Sequence, residues 1–245
     1  MKLNALKLNA LRLNALAGTI KRRALINYRI DPDIAASLLP APLSPALVDG
    51  YAIAGICIIQ LEVRPPWMPK AVAFQSINGA HRIAAVLPDG SDAVYVPRRD
   101  TNARLNVLAG GRLFPGEQHL ASITFTESND EVAVKLEGNE TRVAIAGRVA
   151  DDIPESSVFS SLSQVSDFFE RGSLGFSDTA RVCTLDGIEL RTTAWSVEAL
   201  EVDHVESTFF NDRSVFPTGS AELDNALLMR NVDHSWHRRE SLDLT

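Results

Sequence analysis

The sequence predicts a mostly β protein with a few short helices, and three observations support that class. β-branched and small apolar residues recur in runs of strand length, roughly 8 to 13 residues each. Turn signals such as Pro88-Asp89-Gly90, Ser128-Asn129-Asp130 and Gly138-Asn139 separate these runs. Helical periodicity is confined to a few short stretches. Many meandering strands in one chain point to a closed or strongly curved sheet, which leaves few strand edges unpaired.

Residues 2 to 16 form a period-five repeat, KLNAL, KLNAL, RLNAL, which fits neither the helical period of about 3.6 residues nor a heptad. Asn4, Asn9 and Asn14 interrupt any continuous signal-peptide core. A frayed helical extension is therefore expected in preference to a targeting or membrane-surface segment. Ala24 to Ile30 alternates as a strand, and Asp31-Pro32 supplies an N-cap and a first-turn proline for a helix over Asp33 to Leu39. Tyr51 to Val63 is almost wholly apolar, as in a strand covered on both faces or curled into a barrel. Gly55 in its middle marks a bend or a close backbone approach. Pro65, Pro66 and Pro69 make the following segment a loop.

Ala80 to Leu87 and Ala93 to Val96 read as a hairpin, followed by a helix-compatible segment, Thr101 to Ala109, that Gly110-Gly111 stops. Strands follow at His119 to Thr126, Glu131 to Leu136 and Thr141 to Val149. Ser160 to Arg171 is an amphipathic helix with Leu162, Val165, Phe168 and Phe169 on one face. Ile188 to Val202 returns to strand composition with Trp195 inside it. His204 to Phe210 adds another strand, and Asp224 to Arg230 a short terminal strand or helix.

With 245 residues, 45% of them hydrophobic, the chain can bury one sizeable core. A single domain is expected over residues 21–238, after a basic extension at 1–20 and before a tail at 239–245. No apolar run approaches the ~18 to 20 residues of a membrane helix. Cys57 lies in the apolar run Ile53 to Leu61, where a small buried hydrophobe is the ordinary reading, and Cys183 is far from it in sequence. A reducing, cytoplasmic compartment follows. The first 25 residues hold six basic residues and no acid, leaving 18 basic against 31 acidic, or −13, for the rest. Such a body repels phosphate backbones, and no basic stripe with interleaved aromatics is present, so no nucleic-acid partner is expected.

The polar groups that could carry chemistry concentrate between Asn78 and Gly116. His81 is a candidate proton carrier or hydrogen-bond donor, flanked by Asn78 and Arg82. At the next strand end Tyr95, Arg98, Arg99 and Asp100 cluster. An arginine there can grip a carboxylate bidentately while Asp100 orients it. The competing reading is a structural pair at a strand start and an internal salt bridge at a barrel mouth. His234 and His237, spaced i, i+3, could share a helix face, but no third ligand is indicated and no metal site is assigned. Gly-x-Ser-x-Gly, phosphate-loop and Gly-x-Gly-x-x-Gly patterns are missing from the expected contexts.

Several segments taken together, INYRIDPDIAASLLPAPLSPALVDGYAIAGICII, NGAHRI, YVPRRDT, LAGGRLFPG, FFERGSLGFS and LMRNVDHSW, resemble the YqjF-like family, a domain of unknown function (number 2071) in the acetoacetate decarboxylase-like superfamily. The resemblance covers roughly Arg22 to Trp236 and is specific as a set. It implies a β-cone or double-barrel fold around an apolar pocket, and a homo-oligomer. Acetoacetate decarboxylase itself is more weakly similar, at Tyr28 to Leu43 and Val96 to Asp100. Its motif places a lysine pair a few residues after an Arg-Glu pair, and forms a Schiff base through one of them. Here Arg99-Asp100 is followed by Thr101-Asn102-Ala103-Arg104, and an arginine held protonated cannot take that role. The decarboxylase's strand glutamate also has no counterpart in Ala52 to Ile59, and the basic residue before its first strand is matched only by Lys21 or Arg22.

The expected function is therefore an acetoacetate decarboxylase-like protein that binds a small acidic, keto-acid-like or apolar molecule, without a cofactor. Any catalysis would be lysine-independent, acid-base or enolate-stabilising, with His81, Arg99 and Asp100 acting and Asn78, Arg82, Tyr95 and Arg98 binding. The alternative is a non-catalytic oligomeric scaffold or ligand sensor.

Overall fold

The computed structural model describes residues 15–64, 73–109, 116–179 and 183–244. Along the chain these form β1 (Ala15–Ile30), α1 (Pro32–Leu38), β2 (Ser44–Pro45), β3 (Leu47–Val48), β4 (Tyr51–Arg64), β5 (Phe74–Val86), β6 (Asp92–Thr101) and α2 (Arg104–Ala109). They continue with β7 (Gln118–Ser128), β8 (Glu131–Gly138), β9 (Arg142–Ala150), α3 (Leu162–Arg171), β10 (Leu174–Asp178), β11 (Thr184–Thr192), β12 (Glu198–Ser207) and β13 (Ala221–Asp243).

The strands join in one mixed sheet of order β11-β10-β6-β7-β8-β9-β12-β13-β1-β4-β5-β2, with β3 on β4. Two further pairings, β11 with β13 and β5 with β6, turn the sheet back on itself. The result is two rings that share the wall β13-β1-β4-β5-β6. Strands β10 and β11 complete the smaller ring, and β7, β8, β9 and β12 the larger. This explains why β4 is apolar almost throughout: each of its faces looks into a core. Ile56 and Ile58 pack with Val134, Leu136 and Ile145 of the larger ring. Cys57, Ile59 and Leu61 pack with Leu25, Val165 and Phe169 of the smaller one. Fully burying one such isoleucine contributes about 1.5–3 kcal/mol, so the shared wall supplies much of the driving force.

The helices follow their local signals. Asp31 accepts from the amides of Asp33 and Ile34 at 2.8 and 3.4 Å and caps α1, with Pro32 in the first turn. Ser161 caps α3 and Gly172 ends it, while Val165 and Phe169 pack against the smaller ring. Pro88, Asp89 and Gly90 form the expected hairpin turn between β5 and β6, with Gly90 at φ +85°.

Several elements depart from the sequence reading. The repeat through residue 14 lies outside the described residues, but its last two residues already begin β1 as a strand rather than a helical extension. β13 has 23 residues, not a short terminal segment, because it pairs with β1 along its length, with β12 near its start and with β11 near its end. The sheet thus takes in residues on both sides of the 21–238 span. A continuous strand from Ile188 to Val202 is not formed. The chain breaks at 193–197, where it leaves the smaller ring (β11) for the larger (β12), and Trp195 sits in that crossing with its indole N–H on Ser166 Oγ at 3.0 Å. The His204 to Phe210 segment is the second half of β12 and the turn beyond it. β10 was not anticipated at all. The prolines after Arg64 and the Gly110-Gly111 helix stop lie outside the described residues.

Candidate functional site

In a strand, neighbouring side chains point to opposite faces, and this divides the predicted cluster between the two rings. Arg82, Arg99 and Asn78 face the smaller ring, where they line a cavity of about 100 Å³ together with Arg23, Cys57 and Gln118. His81, Tyr95, Arg98 and Asp100 belong to the other face. The candidate residues therefore do not form one site, and the proximity of His81 and Asp100 to Arg99 in sequence does not bring them into its cavity.

On the larger-ring face the polar groups are internally satisfied or enclosed. Arg98 Nε and Nη2 donate to Asp100 at 3.1 Å, and the Asp100 carboxyl is fully buried. Burial pushes the Asp100 carboxyl up, with the Arg98 charge opposing. Gly138 opposite leaves room, since a Cβ there would lie 3.4 Å from Asp100 Oδ1. Tyr95 donates its hydroxyl to Asp178 at 2.6 Å, and burial raises its pKa. His81 is only 1% exposed and lies 4.9 Å from the Phe209 ring, with neither ring nitrogen hydrogen-bonded. Burial, then the Arg98 charge, push it down to about 4. This is a neutral imidazole in an aromatic core, a poor position for a proton carrier serving a ligand in the other ring.

The cavity face has a different charge balance. Arg99 reaches it from the end of β6 and donates Nε to Ser177 Oγ at 3.0 Å. Gly116, at φ +85°, closes over this pair: a Cβ there would lie 2.8 Å from Ser177 Cβ and 3.4 Å from Arg99 Cδ. Arg82 stacks its guanidinium 4.3 Å above the Phe169 ring and donates Nη2 to Asn27, while its Nε has no partner. Burial pushes Arg82 and Arg99 down to about 10, so both stay charged at neutral pH. Arg23 donates Nε to Cys57 Sγ at 3.3 Å and lies 5.6 Å from the Trp195 ring. Among the described residues no carboxylate pairs with Arg23, Arg82 or Arg99. Asn78 lines the same cavity but is engaged, donating to Ser76 and accepting from Thr101 and Asn106 at 2.8–3.2 Å.

One row of residues explains how a buried guanidinium is held. Arg82, Gly55, Asn27 and Asn225 lie side by side across β5, β4, β1 and β13. Because Gly55 has no side chain, Arg82 and Asn27 meet over β4; a Cβ at Gly55 would lie 3.3 Å from Asn27 Oδ1 and 2.4 Å from the Ile26 carbonyl. Asn27 passes a hydrogen bond to Asn225 at 2.6 Å, and Asn225 to Asp224 at 2.7 Å. Asp224 is the extra residue of a β-bulge in β13, which turns its carboxylate toward Ser157 and Arg29. Gly55 was legible as a close approach; the Arg82 to Asp224 relay it permits was not.

Arg23 and Cys57 also line this cavity and are not among the residues the sequence singles out. Alternation from the buried Ile20 assigns Arg22 to the interior, but a bulge between Ile20 and Arg22 shifts the phase, so that Arg23 and Leu25 take the cavity face. Cys57 carried only the signal of a buried hydrophobe. His234 and His237 lie on a strand, not a helix, so their i, i+3 spacing sends them to opposite faces. Among the described residues no three His, Cys, Asp or Glu side chains converge as metal ligands, and no helix is long and apolar enough to cross a membrane.

Two closed rings sharing a strand wall define an acetoacetate decarboxylase-like fold, and solved structures agree. Acetoacetate decarboxylase from Legionella pneumophila superposes with a TM-score of 0.62 at 12% identity, covering 92% of this chain and 87% of that one. An acetoacetate decarboxylase-like enzyme from Sphingomonas wittichii RW1 gives 0.60 at 15% identity, covering 95% and 93%. The enduracididine biosynthesis enzyme MppR complexed with pyruvate gives 0.60 at 11% identity, covering 94% and 90%. No curated protein matches the chain in sequence. The family model for domain of unknown function 2071, described as an uncharacterized conserved protein, matches residues 18–232. The chain belongs to that family.

Proposed function

We propose that this protein binds a small carboxylate of the 2-oxo-acid class in the cavity of the smaller ring, with Arg99 gripping the carboxylate and Arg82 and Arg23 adding positive charge. The observation that carries this reading is the presence of three guanidiniums lining one partly open cavity, Arg82 buried and Arg23 and Arg99 half-buried, with no carboxylate partner among the described residues. Cations held partly or wholly out of water are costly unless a counter-charge arrives, and a bound carboxylate supplies it with charge-assisted hydrogen bonds. At about 30 Å³ for one water, a cavity of about 100 Å³ suits an organic acid of a few heavy atoms. The pyruvate complex of the structural relative MppR supports the same ligand class.

A Schiff-base route finds no lysine among the described lining residues. Lys135 is exposed on β8, Lys21 pairs with Glu62 at 3.3 Å, and Lys70 lies outside the described residues. What the guanidiniums supply to any chemistry is stabilisation of negative charge on an enolate or oxyanion. The scaffold reading keeps support for Arg98 and Asp100, whose pairing is internal. Exposed Leu105, Leu108 and Leu120 around α2 and β7 support a homo-oligomeric assembly, here placed in the cytoplasm.

Thermal shift against a panel of small carboxylic and keto acids tests the reading. A ligand at 100 times its dissociation constant adds roughly 2.7 kcal/mol, which for a domain of this size is a rise of about 5–10 °C. The wild type is expected to show that rise with a 2-oxo acid, and Arg99→Ala to lose it while remaining folded. Equal shifts in both proteins, or none with any acid, contradict the assignment.

A further inference from the structure

Cys57 stands on the shared wall, on the cavity face of β4, and is 8% exposed. Its Sγ accepts from Arg23 Nε at 3.3 Å, and its negative charge, when present, favours the charged forms of both Arg82 and Arg99. One thiol is thus within electrostatic reach of all three cavity guanidiniums. A second observation is independent of the thiol: Arg82, only 7% exposed, lines the same cavity with its Nε unpartnered. The cavity wall therefore carries both a thiol and a buried guanidinium with one unpartnered N–H.

We propose that Cys57 is a nucleophile of this cavity, acting on small carboxylates that carry an electrophilic carbon next to the carboxylate. The inference rests on the anion reading above, because the guanidiniums must hold the ligand's carboxylate while sulfur attacks. The thiolate is the attacking form, and the guanidiniums complement its charge and that of the ligand alike. With a 2-oxo acid, the S–C bond forms as the C=O π pair moves to oxygen, and that oxygen takes the proton given up by the thiol. The product is a thiohemiketal, and no further reagent is needed. With a haloacetate, the S–C bond forms as the carbon–halogen bond breaks and halide leaves with its electron pair.

The second reaction supplies the test. The reduced full-length protein is treated separately with iodoacetate and iodoacetamide, and alkylation of each cysteine is followed by peptide mass spectrometry. Cys183, which is exposed, is the internal reference for an ordinary thiol. The ratio of iodoacetate to iodoacetamide rates is expected to be at least about tenfold higher at Cys57 than at Cys183, the size of effect that electrostatic focusing in a cleft produces. Saturating pyruvate should slow alkylation of Cys57 alone, and Arg99→Ala should bring its ratio toward that of Cys183. Equal ratios at the two cysteines, or a Cys57 inert to both reagents while Cys183 reacts, overturn the nucleophile. A pyruvate thermal shift measured on the same sample separates the two claims: a retained shift with an inert Cys57 refutes the nucleophile alone, and loss of both refutes the anion site as well.

Discussion

Asp224→Ala is expected to lower stability by about 3–5 kcal/mol, the cost of removing one partner from a buried charged network. The Asp224 carboxylate accepts from Ser157 Oγ at 2.6 Å, the Val158 amide at 2.9 Å and Asn225 Nδ2 at 2.7 Å, with Arg29 at 3.4 Å. Its side chain is fully buried. It is also the nearest negative end of the hydrogen-bond row that begins at Arg82, so its loss leaves a buried guanidinium with only neutral amides behind it. The consequence is a coupling across four strands. Urea unfolding of Asp224→Asn, Arg82→Met and the double variant should give an interaction energy of about 0.5–3 kcal/mol, the range found for members of one network. Strict additivity would show that the row is only a chain of local contacts.

The second large effect is on acid stability. Burial pushes His81 and His234 from the ordinary 6.5 down to about 4. Between those values the unfolded chain binds a proton at each histidine and the folded chain does not. Stability therefore rises with pH across the window, is fully present above about pH 6.5, and is lost as pH falls toward 4. Each shift is worth about 3 kcal/mol. Asp100, whose carboxyl is raised by burial, acts in the opposite sense and offsets part of the loss. Because His81 sits against Phe209 and Phe210 with both ring nitrogens unpartnered, His81→Phe should be at least as stable as wild type at pH 7. It should also lose about 2–2.5 kcal/mol less than wild type between pH 7 and 4.5 in urea titrations. An unchanged acid loss would contradict the picture of a neutral core histidine.

Much of the fold was legible because the signals are local. The Asp31-Pro32 cap, the Pro88-Asp89-Gly90 turn and the apolar face of α3 each arise from residues a few positions apart. The unbroken apolar run of β4 announced a strand buried on both faces. What was hidden depends on pairing between distant strands. The break around Trp195 exists because β11 and β12 belong to different rings, and nothing in their composition says so. The candidate cavity was half legible for the same reason. The stretch Asn78 to Asp100 supplies part of the cavity lining, but strand alternation sends Arg99 to the cavity and Asp100 to the other core. A single bulge after Ile20 concealed Arg23, and the thiol of Cys57 looked like one more small apolar residue until three arginines were found around it.

The most direct measurement is a crystal structure of the protein grown with pyruvate at saturating concentration. The account predicts the carboxylate inside the smaller ring, within hydrogen-bond distance of the Arg99 guanidinium and facing the free Nε of Arg82. An anion bound instead at Arg98, or a cavity occupied by side chains or water alone while pyruvate binds elsewhere, would contradict it.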